Sequence, residues 1–382
     1  MGWRREQPAA DVTIADDQAL LLRARAQRLT DETRRRSTPD RILRDICGLQ
    51  AQVFDAAALG LRARGTDLRL ADVTRALVKE RSIVRTWLMR GTLHVVAAED
   101  VRWLLALVGP VFASANRARH AQLGLDDAVK AKGISAIGRI LADRGPLTRY
   151  ELVDELRRVN IGLDPRTQAP IHLIATAALN GVCCLGPERP NGEPTYVALD
   201  DWVPGRTSRS KPSLPELAHR YFLAYGPATL EDFAAWSGLP MPQARAGLAG
   251  AMPALKDVAI HGQSAFLPKG GLRQSRQHLP GVPNLRLLPA FDTYLLGYRR
   301  RDLAVSSELQ RRLQRGGGWV HPAVVVDGRV VGTWKLRKAA RRREVVVELE
   351  PGSRGRRTEQ AVEREISDIS RFLGEPVTRA SS

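Results

Sequence analysis

The chain has 382 residues, with 59 lysines and arginines against 41 aspartates and glutamates, a formal net charge of +18. That length suggests roughly two to four domains, and 43% hydrophobic residues punctuated by Gly and Pro read as globular and exclude a disordered chain. The positive excess is the footprint of a polyanion binder, with nucleic acid the first candidate. Part of it reflects an arginine- and alanine-rich composition of the kind a GC-rich genome produces, but that bias does not remove acids. Cys47, Cys183 and Cys184 form no C-x-x-C pair, which argues against a disulfide framework or structural zinc and for a reducing cytoplasm. The stretch MGWRREQPAADVTIADD lacks the apolar core of a signal peptide, and no apolar run approaches the ~18 residues that span a bilayer. A soluble, cytoplasmic protein with no membrane, metal or cofactor is expected.

In chain order, DDQALLLRARAQRL (residues 16–29) places leucines on one side of a helix and arginines on the other. TPDRILRDICGL opens with threonine before proline and aspartate, a helix start. DAAALGLRARG offers Asp55 as N-cap and Gly65 as stop, and TDLRLADVTRALVKE gives another helix. SIVRTWLMRGTLHVV then alternates and turns at Arg-Gly, predicting a hairpin. Helices followed by a hairpin make the winged-helix pattern.

The pattern recurs. ISAIGRILADRGPLTRYELVDELRRV has a helix, a Gly-Pro turn, and Thr148 with Glu151 three residues on, a capping box. LPELAHRYFLAYGPATLEDFAAWSGL repeats the layout with Thr229 and Asp232. The Gly-Pro pairs begin at 145 and 226, so the period is 226 − 145 = 81 residues, about one winged helix. The last hundred residues are β-rich, Asp327-Gly328 supplies a tight turn, and RTEQAVEREISDISRFLG forms a closing helix. The expected α+β architecture has three tandem winged-helix (helix-turn-helix) units around a concave surface plus a C-terminal β-rich domain. A tail over 1–15 precedes units over 16–110, 111–211 and 212–281, and the β-rich domain covers 282–382.

Among candidate functional residues, Gln50 and Gln52 in GLQAQVFD stand two apart. On a helix they would diverge by about 200°, whereas on an extended segment they share a side. Gly48 before them and Asp55 after them favour a break in the helix. They either face one ligand together, or Gln50 satisfies a nearby helix end while Gln52 is solvated. The hairpin offers Arg85, Arg90, Thr92 and His94, with the last three on one face by alternation. They either line a cleft against the glutamines and hold phosphates or form an ordinary wing. YRRRD (298–302) contributes Arg299 and Arg300, and WKLRKAARRR contributes Lys335, Arg337, Lys338, Arg341, Arg342 and Arg343 as phosphate contacts. If ~6 phosphates are neutralised, log affinity falls against log salt with a slope near −5. No G-x-x-x-x-G-K-[ST], H-E-x-x-H or G-x-S-x-G motif is present, which disfavours nucleotide hydrolysis, zinc hydrolysis and serine-esterase chemistry.

GLQAQVFDAAALGLRAR, RTWLMRGTLHVVAAEDVRWLL, YGPATLEDFAAWSGL, LLPAFDTYLLGYRRR and VVVDGRVVGTWK together span about residues 20 to 350. On these stretches the chain resembles the winged helix DNA-binding domain-containing proteins, including the AlkZ-like DNA glycosylases of the azinomycin cross-link unhooking type. The resemblance implies a catalytic glutamine, small or apolar residue, then glutamine or aspartate, falling here on Gln50, Ala51 and Gln52. The glutamine form at the second position is the one associated with cross-link and bulky-adduct unhooking in antibiotic producers. It implies a bacterial, monofunctional glycosylase that acts as a monomer on double-stranded DNA carrying alkylated purines. The alternative is a non-catalytic DNA-binding protein or regulator. PIHLIATAAL and MPQARAGLAGAM are poor in the Arg, Asn and Gln that read base edges, which weakens sequence-specific regulation. A protein-interaction scaffold leaves the charge without a purpose.

Overall fold

A computed structural model of the chain describes residues 12–115, 117–205, 212–274, 283–314, 316, 318–339 and 342–380. Arg341 and the side chain of Arg342 lie outside the described residues. The fold is mixed α+β, and a group of helices followed by an antiparallel hairpin recurs three times before a β-rich C-terminal part.

In the first group, helices Pro39–Asp45, Phe54–Arg64 and Leu70–Val78 precede the hairpin Ile83–Trp87/Leu93–Ala97. Val53, not Asp55, is the N-cap of the middle helix. Asp55 instead lies in the first turn, where a carboxylate favours the positive end of the helix dipole. Gly65 ends the helix as the sequence predicts. In the second group, Thr148 and Glu151 make the predicted capping box on Arg149–Arg158, and Ala169–Leu179 leads into Cys183–Leu185 and Thr195–Ala198. Helix Ala98–Ala115 joins the two groups. A Cβ on its Gly109 would lie 2.1 Å from the Leu179 carbonyl oxygen, so the two helices touch backbone to backbone.

These two hairpins share one six-stranded sheet, linked where Arg85 faces Leu185, an arrangement not visible in the sequence. The third group has Leu214–Tyr225, Leu230–Ser237 with its Thr229–Asp232 box, Met241–Ala251 and the hairpin Leu255–Ile260/Gln263–Pro268. Its core is aromatic: Tyr221, Phe222, Tyr225, Phe233 and Trp236 are buried together. Helix Asp16–Ala26 docks on this third group, with Arg23 Nε donating to the Pro227 carbonyl at 2.8 Å and Gln27 Nε2 to that of Ala224 at 2.7 Å.

The C-terminal part is a five-stranded sheet in the order Leu285–Leu288, Ala323–Val326, Arg329–Ala339, Arg342–Leu349, Val377–Arg379. The Asp327-Gly328 turn has φ of 47° and 89°, the two positive values that an Asp-Gly hairpin turn supplies. Helix Arg356–Leu373 covers one face through Val362, Ile366, Ile369 and Phe372. Among the described residues no helix is long and apolar enough to cross a membrane.

Candidate active site

The two glutamines sit where the chain is forced out of one helix and into the next. After Pro39–Asp45, Cys47 and Gly48 take φ of 56° and 91° and turn the backbone sharply. A Cβ on Gly48 would stand 2.8 Å from Val96 Cγ1, so both its positive φ and the close approach require glycine. The chain then runs extended: Leu49 pairs with Val95 and Gln50 with His94, and the Ala51 N–H donates to the Leu93 carbonyl at 2.7 Å. The helix is broken at the glutamines, as Gly48 leads one to expect. Gln50 is half-buried and Gln52 is exposed at the bend before Phe54–Arg64.

Two arginines hold this segment. Arg90, at the hairpin tip with φ of 57°, donates from Nη2 to Gln50 Oε1 and from Nη1 to the Trp236 carbonyl, each at 2.8 Å. Burial lowers its pKa. Arg85 is buried and donates from Nε to the Ala51 carbonyl at 3.1 Å and from Nη2 to that of Gln52 at 3.4 Å. Its Nη1 lies 3.5 Å from Glu188 Oε1 in the second group's hairpin. Burial lowers the Arg85 pKa while Glu188 opposes the shift.

Thr92 and His94 belong to the same hairpin, Thr92 at the end of its tip and His94 in the strand Leu93–Ala97. Thr92 Oγ1 donates to the Met89 carbonyl at 3.2 Å, and the Thr92 carbonyl lies 2.9 Å from His94 Nδ1. His94 is buried, and desolvation, aided by the positive charge of Arg90, pushes its pKa down to about 3. The ring is therefore neutral near pH 7, with its proton on Nδ1 facing the carbonyl. Arg85, Arg90, Thr92 and His94 thus gather around Gln50–Gln52.

Arg299 and Arg300 are exposed in a different place, flanking a groove of about 1380 Å3 that is also lined by Arg23, His261 and Arg329. The Arg299 N–H donates to Asp232 Oδ1 at 2.8 Å, and Arg300 pairs with Asp302 at 2.8 Å. Helix Leu230–Ser237 connects the two regions. Asp232 in its first turn anchors the Arg299 backbone, and Trp236 near its end receives Arg90, within about 12 Å of helix. Lys335, Arg337 and Lys338 are exposed on the strand Arg329–Ala339, with Arg337 paired to Glu344 at 2.8 Å.

The sequence reading missed the residues that fix the helix following the glutamines. Arg64 is fully buried and grips Asp292 with both Nη atoms, each at 2.8 Å, and its Nη2 also donates to Gln27 Oε1 at 3.0 Å. Arg62, equally buried, donates to Glu365 Oε2 at 2.9 Å and to the Leu287 carbonyl at 3.0 Å. The available signal was the lone aspartate in the apolar run LLPAFDTYLL. Asp292 also caps the turn Thr293–Leu296, and Thr293 Oγ1 meets Tyr225 Oη, which accepts from Trp236 Nε1 at 3.1 Å. Polar contacts therefore run from Gln50 through Arg90 to the Trp236 carbonyl, from the Trp236 indole through Tyr225 to Thr293, and from the adjoining Asp292 to Arg64 at the far end of the helix that begins beside Gln52.

Known proteins are similar to this chain in sequence and in fold. The family model described as DNA glycosylase AlkZ-like matches residues 43–372, which takes in both glutamines and their arginines. The interstrand DNA cross-link repair glycosylase of Streptomyces sahachiroi is 29% identical over 373 residues, covering 92% of this chain and 95% of that protein. The solved structure of Streptomyces sahachiroi DNA glycosylase AlkZ matches with a TM-score of 0.81 at 27% identity, over 97% of this chain and 100% of that one. By fold and by matched span the protein is a DNA glycosylase. It belongs to the AlkZ-like family of those enzymes.

Proposed function

We propose that the enzyme excises cationic N7-alkylguanine from double-stranded DNA, acting on bulky natural-product adducts or interstrand cross-links. It would thereby provide repair of, or self-resistance to, a genotoxic antibiotic. The name of the Streptomyces relative supports the cross-link substrate. In this reading the helix groups are tandem winged helices over 16–110, 111–211 and 212–281, presenting a concave surface beside the domain over 282–382. The protein acts as a cytoplasmic monomer. Arg299, Arg300, Lys335, Arg337 and Lys338 contact phosphates, and Arg85, Thr92 and His94 support the glutamine segment.

The chemistry suits neutral amides. N7 alkylation makes the base a cation, so when the C1′–N9 bond breaks its electron pair leaves with the base and cancels that charge. No proton has to be delivered. The sugar becomes oxocarbenium-like, and a placed water forms the new C1′–O bond and releases its proton to solvent. Orientation of that water and fixed dipoles around the cation are what the site must supply. Gln52, exposed, accepts a hydrogen bond from the water through its carbonyl, and Gln50 fixes the same water. Unmodified purines lack the built-in activation and are poor substrates.

The observation that carries the reading is the pair itself: Gln50 held by Arg90 on an extended segment, with Gln52 exposed two residues on. The test is incubation with duplexes bearing N7-methylguanine or a bulky N7 adduct, followed by alkaline cleavage of abasic sites. Gln50→Ala/Gln52→Ala protein that is folded and still binds DNA is expected to lose on the order of 100-fold or more in base release. Release at the wild-type rate would falsify the assignment, and no release by wild-type protein from either duplex would favour the binding-only alternative.

A further inference from the structure

Arg90 is desolvated, and among the described residues it is paired with no carboxylate; its two hydrogen-bond acceptors are neutral oxygens, one on Gln50 and one on Trp236. A guanidinium has donors and no acceptor, so the Gln50 amide must turn its oxygen toward Arg90. That settles which end of the amide is which. It leaves the Nε2 hydrogens as the end opposite the arginine.

The contact is built into the fold. Arg90 occupies the left-handed region between Met89 and Gly91, a conformation that bulky residues hold only when their surroundings fix it. The surroundings here are the end of helix Leu230–Ser237. A Cβ on Gly238 would come within 3.3 Å of Arg90 Cα and 2.7 Å of Phe112 Cζ, so the hairpin tip is pressed against that helix end.

We propose that Arg90 is a positioning residue that clamps Gln50 by its oxygen, so that Gln50 acts as a hydrogen-bond donor to the attacking water. The inference rests on the glycosylase reading above. A positive charge behind the amide oxygen polarises the amide and strengthens its N–H groups as donors. An N–H aimed at the cationic sugar would oppose bond breaking. Aimed at one lone pair of a water whose O–H is accepted by Gln52, it fixes that water and leaves the second lone pair free for C1′. The two glutamines then have opposite polarities: one donates and the other accepts.

Single-turnover base release from an N7-alkylguanine duplex, at saturating protein, tests this with Gln50→Glu, Gln50→Ala, Arg90→Ala and the Gln50→Ala/Arg90→Ala pair. Gln50→Glu keeps a partner for Arg90 but has no N–H, so it is expected to slow release at least as much as Gln50→Ala. Arg90→Ala is expected to slow release about tenfold or more with DNA affinity and its salt dependence unchanged. Added to Gln50→Ala, it should cost less than about twofold further, because it acts through Gln50. Faster release by Gln50→Glu would mean that the carbonyl faces the sugar cation and would overturn the proposal. So would multiplying losses in the double variant, or a salt slope reduced by about one on removing Arg90, the mark of a phosphate contact. Should Arg90→Ala fail to fold, the Gln50→Glu comparison decides alone. Wild-type protein that releases no base would instead sink the glycosylase reading and the donor role with it.

Discussion

His94 faces Gln50 across two paired strands, and burial beside Arg90 pushes its pKa down to about 3. In the unfolded chain an imidazole titrates near 6.5, so as pH falls below that value the unfolded state takes up a proton that the folded state refuses. The contribution is fully present above about pH 6.5 and is lost progressively on acidification toward pH 3. Between pH 7 and pH 5 the wild-type protein should therefore lose about 2 kcal/mol more stability than His94→Gln, from roughly 1.4 kcal/mol per pH unit. Urea unfolding of both proteins at the two pH values measures it; parallel losses would show that His94 is accessible and ordinary. The same neutrality has a consequence for catalysis. A histidine that stays uncharged beside two amides gives base release no reason to follow an imidazole titration.

The helix Phe54–Arg64 carries the site at one end and its anchors at the other. Arg62 and Arg64 are fully buried, paired with Glu365 and Asp292 from the C-terminal part. Arg64→Met would strand the Asp292 carboxylate without a counter-charge, and a loss of about 3–5 kcal/mol is expected in denaturant unfolding. Replacing both partners with apolar residues should recover much of it, since it is the orphaned charge that costs. The capping boxes are smaller levers: Thr148→Ala and Thr229→Ala should each cost about 1 kcal/mol. Those boxes, the first hairpin and the Asp-Gly turn were legible in the sequence because each depends on residues a few positions apart. The cap on Phe54–Arg64 was misread because Asp55 looks like a cap, although the chain is still extended at Val53. Arg62 and Arg64 were illegible for another reason. Their partners lie more than two hundred residues away, and an arginine in LRAR reads the same whether it faces water or Asp292. In the site, the glutamines became visible through family resemblance, whereas spacing alone left them open. Arg85 and Arg90 were read either as lining a cleft against the glutamines and holding phosphates or as part of an ordinary wing; nothing local could reveal that their guanidinium groups bond the glutamine segment itself.

At the scale of the whole molecule the charge of +18 has to be divided between cations that hold the fold and cations that meet solvent. Arg62, Arg64 and Arg85 belong to the first group and should add nothing to the salt dependence of DNA binding. Arg299, Arg300, Lys335 and Lys338 are exposed, and Arg299 and Arg300 border the groove beside helix Leu230–Ser237. If each meets one phosphate, replacing Arg299 and Arg300 together by alanine should flatten a plot of log affinity against log salt by about 1.8, and Lys335 with Lys338 by the same amount. Arg300 offers a control of opposite sign. Its pairing with Asp302 is exposed on both sides and therefore weak, so phosphate can compete for the guanidinium. Asp302→Asn frees that cation and removes a like charge from the path of the DNA, and it should tighten binding while steepening the slope. Fluorescence anisotropy of a labelled duplex across a salt series reads both quantities. A slope unmoved by Arg299→Ala/Arg300→Ala would place the DNA away from this groove.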